Sequence, residues 1–105
     1  MELRKHERIS VSVLIDVYEL GSVIAKGRGH VSDISIGGLS LDTHVALDIG
    51  TMLFLKIGDF PIEIKGKVIR IQQGVGVNRY GVKFIDLGFF DKRKLKKHIE
   101  AYFKK

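Results

Sequence analysis

The chain has 105 residues, a formal net charge of +6 and no cysteine. This length predicts one domain with a single modest core. The absence of cysteine excludes a disulfide framework, a thiol nucleophile and a cysteine zinc site, and it suits a cytoplasmic protein. The apolar runs are short, and the sequence does not begin with a basic start and an apolar block. We therefore expect neither a signal peptide nor a membrane span.

The positive charge is concentrated at the end of the chain. Residues 91–105 include seven basic and two acidic residues, whereas residues 1–90 include eleven basic and ten acidic ones. A domain that follows a nucleic-acid backbone usually spreads lysine and arginine over one broad face. A basic barrel that stacks single-stranded nucleic acid on Tyr18, Phe54 or Tyr80 is therefore a disfavoured alternative.

The first half of the chain predicts extended structure. Apolar residues occupy every odd position from Ile9 to Val17, which is the period of two typical of a half-buried strand. A second extended segment is predicted over residues 23–36. Its two glycines, Gly27 and Gly29, predict a bulge or bend within it.

Further strands follow, separated by glycine-containing turns. Gly37 and Gly38 shift the apolar alternation from even to odd positions, so the backbone must kink there. A slip in the apolar phase after Gly66 predicts a β-bulge. The later strands are predicted at residues 51–57, 62–71 and 80–85. Short antiparallel strands without intervening helices indicate a small barrel or a closed sandwich.

The chain ends in a predicted helix over residues 89–105. Its apolar residues recur at helical spacing on one stripe, and its basic residues lie largely off that stripe. The stripe is expected to pack on the barrel, and the basic face to be solvated. The members of the stripe are Leu95, Ile99, Tyr102 and Phe103.

No pattern in the chain indicates catalysis. The four histidines are scattered, and none forms the helical pair that zinc hydrolases use. Ser35 lacks the glycine two positions earlier that a nucleophile elbow requires. We therefore expect no enzyme activity, no metal site and no cofactor.

Two short stretches carry side chains suited to a nucleotide. Arg4 and Arg8 stand four apart ahead of the first strand, and residues 33–38 read Asp-Ile-Ser-Ile-Gly-Gly. The planar guanidinium of arginine donates two parallel hydrogen bonds to phosphate or guanine, and it also stacks on purines. An aspartate can accept from a guanine edge, and paired glycines let backbone approach a planar ligand. The alternatives without a ligand are that residues 3–9 form a solvated basic arm and that residues 33–38 form only a polar turn.

The two stretches together resemble the paired motif of PilZ domains, bacterial receptors for cyclic diguanylate (c-di-GMP). The matching residues are Arg4-x-x-x-Arg8 and, about 25 residues later, Asp33-x-Ser35-x-x-Gly38. Residues 66–70, residues 79–87 and the final helix resemble the family's later elements. The resemblance implies an all-β fold, a six-stranded antiparallel barrel with a C-terminal helix. It divides a single domain into an N-terminal ligand-binding arm (1–8), the barrel (9–87) and the helix (89–105).

The resemblance also implies roles for individual residues. Arg4 and Arg8 would hold the phosphates and stack on guanine, and Asp33 would read a guanine edge. Ser35 would add a hydrogen bond, and Gly38 would keep the wall of the site clear. The implied c-di-GMP-binding residues are Arg4, Arg8, Asp33, Ser35, Gly37 and Gly38, with Lys5 at the rim.

Two further expectations concern stoichiometry and signalling. Many family members carry another arginine directly before the first of the pair, where this sequence has Leu3. We therefore expect one bound ligand rather than an intercalated pair. The arm is expected to fold over the messenger and relay the signal to an unidentified downstream protein. The alternative is a degenerate interaction adaptor that binds no nucleotide.

Overall fold

The computed structural model describes residues 8–56 and 63–102. The described chain forms a closed antiparallel barrel in the order β1-β2-β3-β6-β5-β4, followed by one helix. This architecture confirms the predicted all-β fold with a C-terminal helix. The elements are β1 (Ile9–Glu19), β2 (Gly27–Ile34), β3 (Gly38–Thr43), β4 (Met52–Leu55), β5 (Ile64–Gln72), β6 (Asn78–Ile85) and α1 (Phe89–Tyr102).

Alternating side chains of the strands fill the barrel interior. In β1 the burial rises along the strand, and Val17 is fully buried. Because successive residues of a strand face opposite sides, every strand presents one apolar and one outward-facing row. Most of the core comes from the strands, and Leu95 and Ile99 of α1 join the same cluster. Leu95 and Ile99 of the predicted stripe therefore pack on the barrel, as predicted.

The second strand begins later than predicted and is regular where a bulge was expected. β2 starts at Gly27, and it pairs with β1 without a register shift past Gly27 and Gly29. The bulge prediction at these glycines is therefore wrong. Gly29 has a packing role instead, because a Cβ there would collide with the side chain of Leu41.

The other predicted irregularities are confirmed. The β2–β3 connection turns at residues 35–37, where the kink was predicted. The pairing of β5 with β6 shifts between Val68 and Arg70, shortly after Gly66. This bulge brings Arg70 opposite Gly81 of β6. The predicted strand at 51–57 is observed as Met52–Leu55, and residues 57–62 lie outside the described residues.

The described helix lies within the predicted span and has an exposed basic face. It runs over Phe89–Tyr102, and Phe103 lies outside the described residues. Its five basic side chains are all exposed, in agreement with the solvated face that the sequence predicts. Neither the length nor the hydropathy of this helix, within the described part of the chain, would let it cross a membrane.

Candidate functional site

Arg8 and Asp33 bring the two candidate motifs into contact. Arg8 directly precedes β1, and β1 pairs with β2 so that Ser10 lies opposite Asp33. Arg8 donates through Nε to Asp33 Oδ1 at 3.0 Å, and its Nη2 lies 2.8 Å from the same oxygen. The antiparallel pairing of β1 with β2 therefore joins residues that are 25 apart in sequence. Arg4 and Lys5 lie outside the described residues.

The Arg8–Asp33 pair is suited to positioning rather than to stabilising the fold. The side chains are 34% and 29% exposed, and ion pairs this accessible contribute about 0–1 kcal/mol. A carboxylate offers about four lone-pair positions, of which Arg8 takes two. Asp33 can therefore hold the guanidinium in place and still accept a hydrogen bond from a ligand.

Ser35 closes the turn between β2 and β3. Its hydroxyl accepts from the Gly37 N–H at 3.1 Å and lies 3.4 Å from the Gly38 carbonyl, to which the Ser35 N–H also donates at 2.8 Å. The residue is only 2% exposed. These contacts give Ser35 a clear structural function, and its hydrogen bond to a ligand stays a prediction.

Gly37 and Gly38 join this turn to β6. The Gly37 carbonyl accepts a hydrogen bond from the Phe84 N–H at 2.9 Å. A Cβ on Gly38 would collide with the carbonyl oxygen of Val82, which is backbone and cannot move aside cheaply. Glycine is therefore required at position 38 by the approach of β3 to β6. The sequence predicts a glycine here that leaves space for a ligand, and its packing against the Val82 backbone was not predicted.

A second ionic group lies on the same outer face and was not predicted. Arg79 Nε donates to Asp42 Oδ1 at 2.7 Å, and its Nη2 donates to Oδ2 at 3.1 Å. The hydrogen bond from Arg79 lowers the pKa of Asp42, although burial partly opposes this. The same hydrogen bond raises the pKa of Arg79, with a smaller electrostatic contribution from Asp33. Asp33 therefore contacts Arg8 and acts on Arg79 only through this weaker electrostatic interaction.

Ser12 and His30 extend this group, but the arrangement is not a catalytic triad. Ser12 Oγ lies 2.8 Å from His30 Nε2, whereas His30 Nδ1 and Asp42 Oδ2 are 3.9 Å apart, too far for a hydrogen bond. Asp42 is instead held by the two hydrogen bonds from Arg79. In residues 8–56 and 63–102, no three potential ligands are grouped to hold a metal ion.

Tyr18, Phe54 and Tyr80 do not form one common platform for nucleic-acid bases. Tyr80 is 1% exposed, and its hydroxyl donates to the Val45 carbonyl at 3.0 Å and accepts from the Leu47 N–H at 3.1 Å. Stacking of a base on Tyr80 is therefore excluded. Tyr18 and Phe54 lie opposite each other on β1 and β4, a different strand pair from the one that carries Arg8 and Asp33.

Comparison with known proteins assigns the chain to one family. The sequence model of the PilZ domain matches residues 2–101. The chain therefore belongs to the PilZ family. A comparison with curated proteins found no match.

Solved structures show the same fold at low sequence identity. Escherichia coli YcgR in complex with c-di-GMP superposes with a TM-score of 0.72 at 19% identity, over 93% of this chain and 45% of that one. The Bacillus subtilis inhibitor of motility MotI/DgrA gives 0.68 at 14% identity, over 96% and 51%. The PilZ domain of CeSA from a cellulose-synthesizing bacterium gives 0.64 at 19% identity, over 90% and 98%. The chain thus spans about half the length of YcgR and MotI/DgrA.

Proposed function

We propose that this PilZ domain is a bacterial receptor for c-di-GMP. The observation that carries the proposal is the contact between Arg8 and Asp33, which unites the arginine stretch and the Asp-x-Ser-x-x-Gly stretch on one surface. Membership of the PilZ family supports it. The similar folds of YcgR and of Klebsiella pneumoniae MrkH, whose solved structures are c-di-GMP complexes, support it further.

In the proposed site, arginines recognise the phosphates of c-di-GMP and an aspartate recognises the edge of a guanine. Arg4 and Arg8 bind the phosphates and stack on guanine, because a guanidinium forms paired hydrogen bonds with phosphate. Asp33 accepts from a guanine edge with the capacity that Arg8 leaves unused. Ser35, Gly37 and Gly38 shape the adjoining turn, and Lys5 lies at the rim.

The site is proposed to take one molecule of c-di-GMP. A second, intercalated molecule would add two further negative charges. The arginine that many family members carry before the first of the pair is Leu3 in this sequence. Without that cation, the repulsion between two dianions is less well balanced.

The signal is proposed to leave the domain through a changed surface. Residues 1–8 fold over the bound nucleotide, and an unidentified downstream protein recognises the surface that results. We assign the chain a single domain without catalytic activity, acting in the cytoplasm. Folding of a segment onto a ligand costs conformational entropy, so the relay requires strong contacts from the two arginines.

Isothermal titration calorimetry tests the proposed function. The full chain is titrated with c-di-GMP, with the linear dinucleotide and GTP as controls. Saturable binding to c-di-GMP with much weaker heats from both controls is expected. Absence of binding to c-di-GMP would contradict the proposal. Length-dependent binding of single-stranded nucleic acid that falls steeply with salt would favour the nucleic-acid alternative.

A further inference from the structure

A row of residues on the outer face of the barrel links the proposed site to Arg70. In the strand register Asp33 of β2 lies opposite Ser40 of β3, Ser40 lies opposite Gly81 of β6, and Gly81 lies opposite Arg70 of β5. Neighbouring strands are about 4.8 Å apart, so roughly 14 Å of sheet separates Asp33 from Arg70. The two positions between them carry small residues.

Arg70 lies over Gly81 on this outer face. The neighbours of Gly81 in β6, Tyr80 and Val82, are buried in the core, so position 81 faces outward. A Cβ built on Gly81 would lie 3.2 Å from Arg70 Nη2 and 3.4 Å from Arg70 Cζ. Gly81 is nevertheless buried, whereas Arg70 is exposed. One face of the guanidinium therefore covers the sheet, and its other face is open to solvent.

Arg70 differs from Arg8, Arg28 and Arg79 in having no acidic partner among the described residues. Among residues 8–56 and 63–102, Arg8, Arg28 and Arg79 each pair with an aspartate, whereas Arg70 forms no ion pair. Its charge is therefore available to an anionic ligand.

The neighbouring charges increase the attraction for an anion. Lys67 of β5 lies directly opposite Lys83 of β6, and both side chains are exposed. Like charges at directly opposite positions destabilise a sheet. A bound phosphodiester would offset that repulsion, and the two lysines flank the row that leads from Asp33 to Arg70.

We propose that Arg70 stacks on a guanine of c-di-GMP, the base that Asp33 does not hydrogen-bond. The inference rests on the proposed function. The nucleotide then lies across β3 and β6, with one base beside Asp33 and the other on the solvent-facing side of the Arg70 guanidinium that covers Gly81. Arginine suits this role because its planar, weakly hydrated cation stacks on purine faces, which the ammonium group of lysine cannot do.

Substitution of Arg70 tests the inference by calorimetry on the full chain. Arg70→Ala is expected to weaken c-di-GMP binding by roughly five- to a hundredfold, the range of one base-stacking contact. Arg70→Lys is also expected to bind c-di-GMP more weakly than the wild type, because lysine keeps the charge but lacks the planar group that stacks. The matched control is Arg28→Ala, which removes an exposed arginine from the opposite end of β2.

The outcomes separate this inference from the proposed function. Wild-type binding that is retained in Arg70→Ala or in Arg70→Lys would overturn the stacking role and leave the receptor function intact. No binding by the wild-type chain would overturn the receptor function itself. Nuclear Overhauser contacts between the Arg70 side chain and a guanine H8 proton are expected in the complex, and their absence would also overturn the inference. Unchanged melting temperatures would show that the variants remain folded.

Discussion

Replacement of Arg8 by alanine is expected to abolish c-di-GMP binding while the barrel remains folded. In the unliganded protein, the Arg8 contacts to Asp33 at 3.0 and 2.8 Å join side chains that are 34% and 29% exposed. Such a pair contributes about 0–1 kcal/mol to stability. For a domain of this size, its loss lowers the melting temperature by at most about 4–8 °C.

The loss in binding should be far larger than the loss in stability. Hydrogen bonds to charged groups contribute about 1.5–3 kcal/mol each, so two bonds from Arg8 to a phosphate would contribute about 3–6 kcal/mol. That free energy corresponds to a loss of affinity of roughly a hundredfold to ten-thousandfold. Calorimetry and thermal melting of the same sample measure both effects. Arg28→Ala is the control, because Arg28 forms a comparable surface pair with Asp16 at 3.4 Å.

One result would refute this reasoning directly. If Arg8→Ala bound c-di-GMP within about threefold of the wild type, Arg8 would contribute less than about 1 kcal/mol and could not hold a phosphate. A melting temperature reduced well beyond the range above would instead show that Arg8 supports the fold.

Two further predictions concern the fold around the site. Gly38→Ala should destabilise the unliganded barrel by about 1–3 kcal/mol, because the added methyl group meets the Val82 carbonyl. The control Gly88→Ala, which has open space around it, should melt close to the wild type. Equal melting curves for the two variants would contradict this prediction. Asp42→Asn should reduce the loss of folding stability that occurs as the pH is lowered. Arg79 lowers the pKa of Asp42 below 3.8, so the stabilisation is present above that pH and is lost as the pH falls through the folded-state pKa. Thermal melts between about pH 6 and pH 2 should therefore fall less steeply for the variant, and parallel curves would contradict the assignment.

Local patterns in the sequence were sufficient to predict most of the strands of the barrel. The alternation from Ile9 to Val17 predicts β1, and the phase slip after Gly66 predicts the bulge that the β5–β6 pairing confirms. The prediction failed at Gly27 and Gly29, where glycine was interpreted as a break in the strand. The space at these positions is instead occupied by side chains from elsewhere in the chain, Val45 at Gly27 and Leu41 at Gly29, which a local pattern cannot show.

The sequence identified the residue types of the candidate site but not their arrangement. Residue chemistry and the family resemblance both indicated Arg8 and Asp33, and the strand register brings them together. The pairing of Asp42 with Arg79 and the position of Arg70 over Gly81 depend on β6 lying between β3 and β5. This strand order is a property of the closed barrel, and neither local periodicity nor spacing encodes it.

The stoichiometry of c-di-GMP binding tests the central claim most directly. Calorimetric titration of the full chain is expected to give one molecule of c-di-GMP per chain, with the linear dinucleotide and GTP binding much more weakly. A chain that gave no heat with c-di-GMP would contradict the receptor function. Two molecules per chain would leave that function standing and contradict the argument from Leu3.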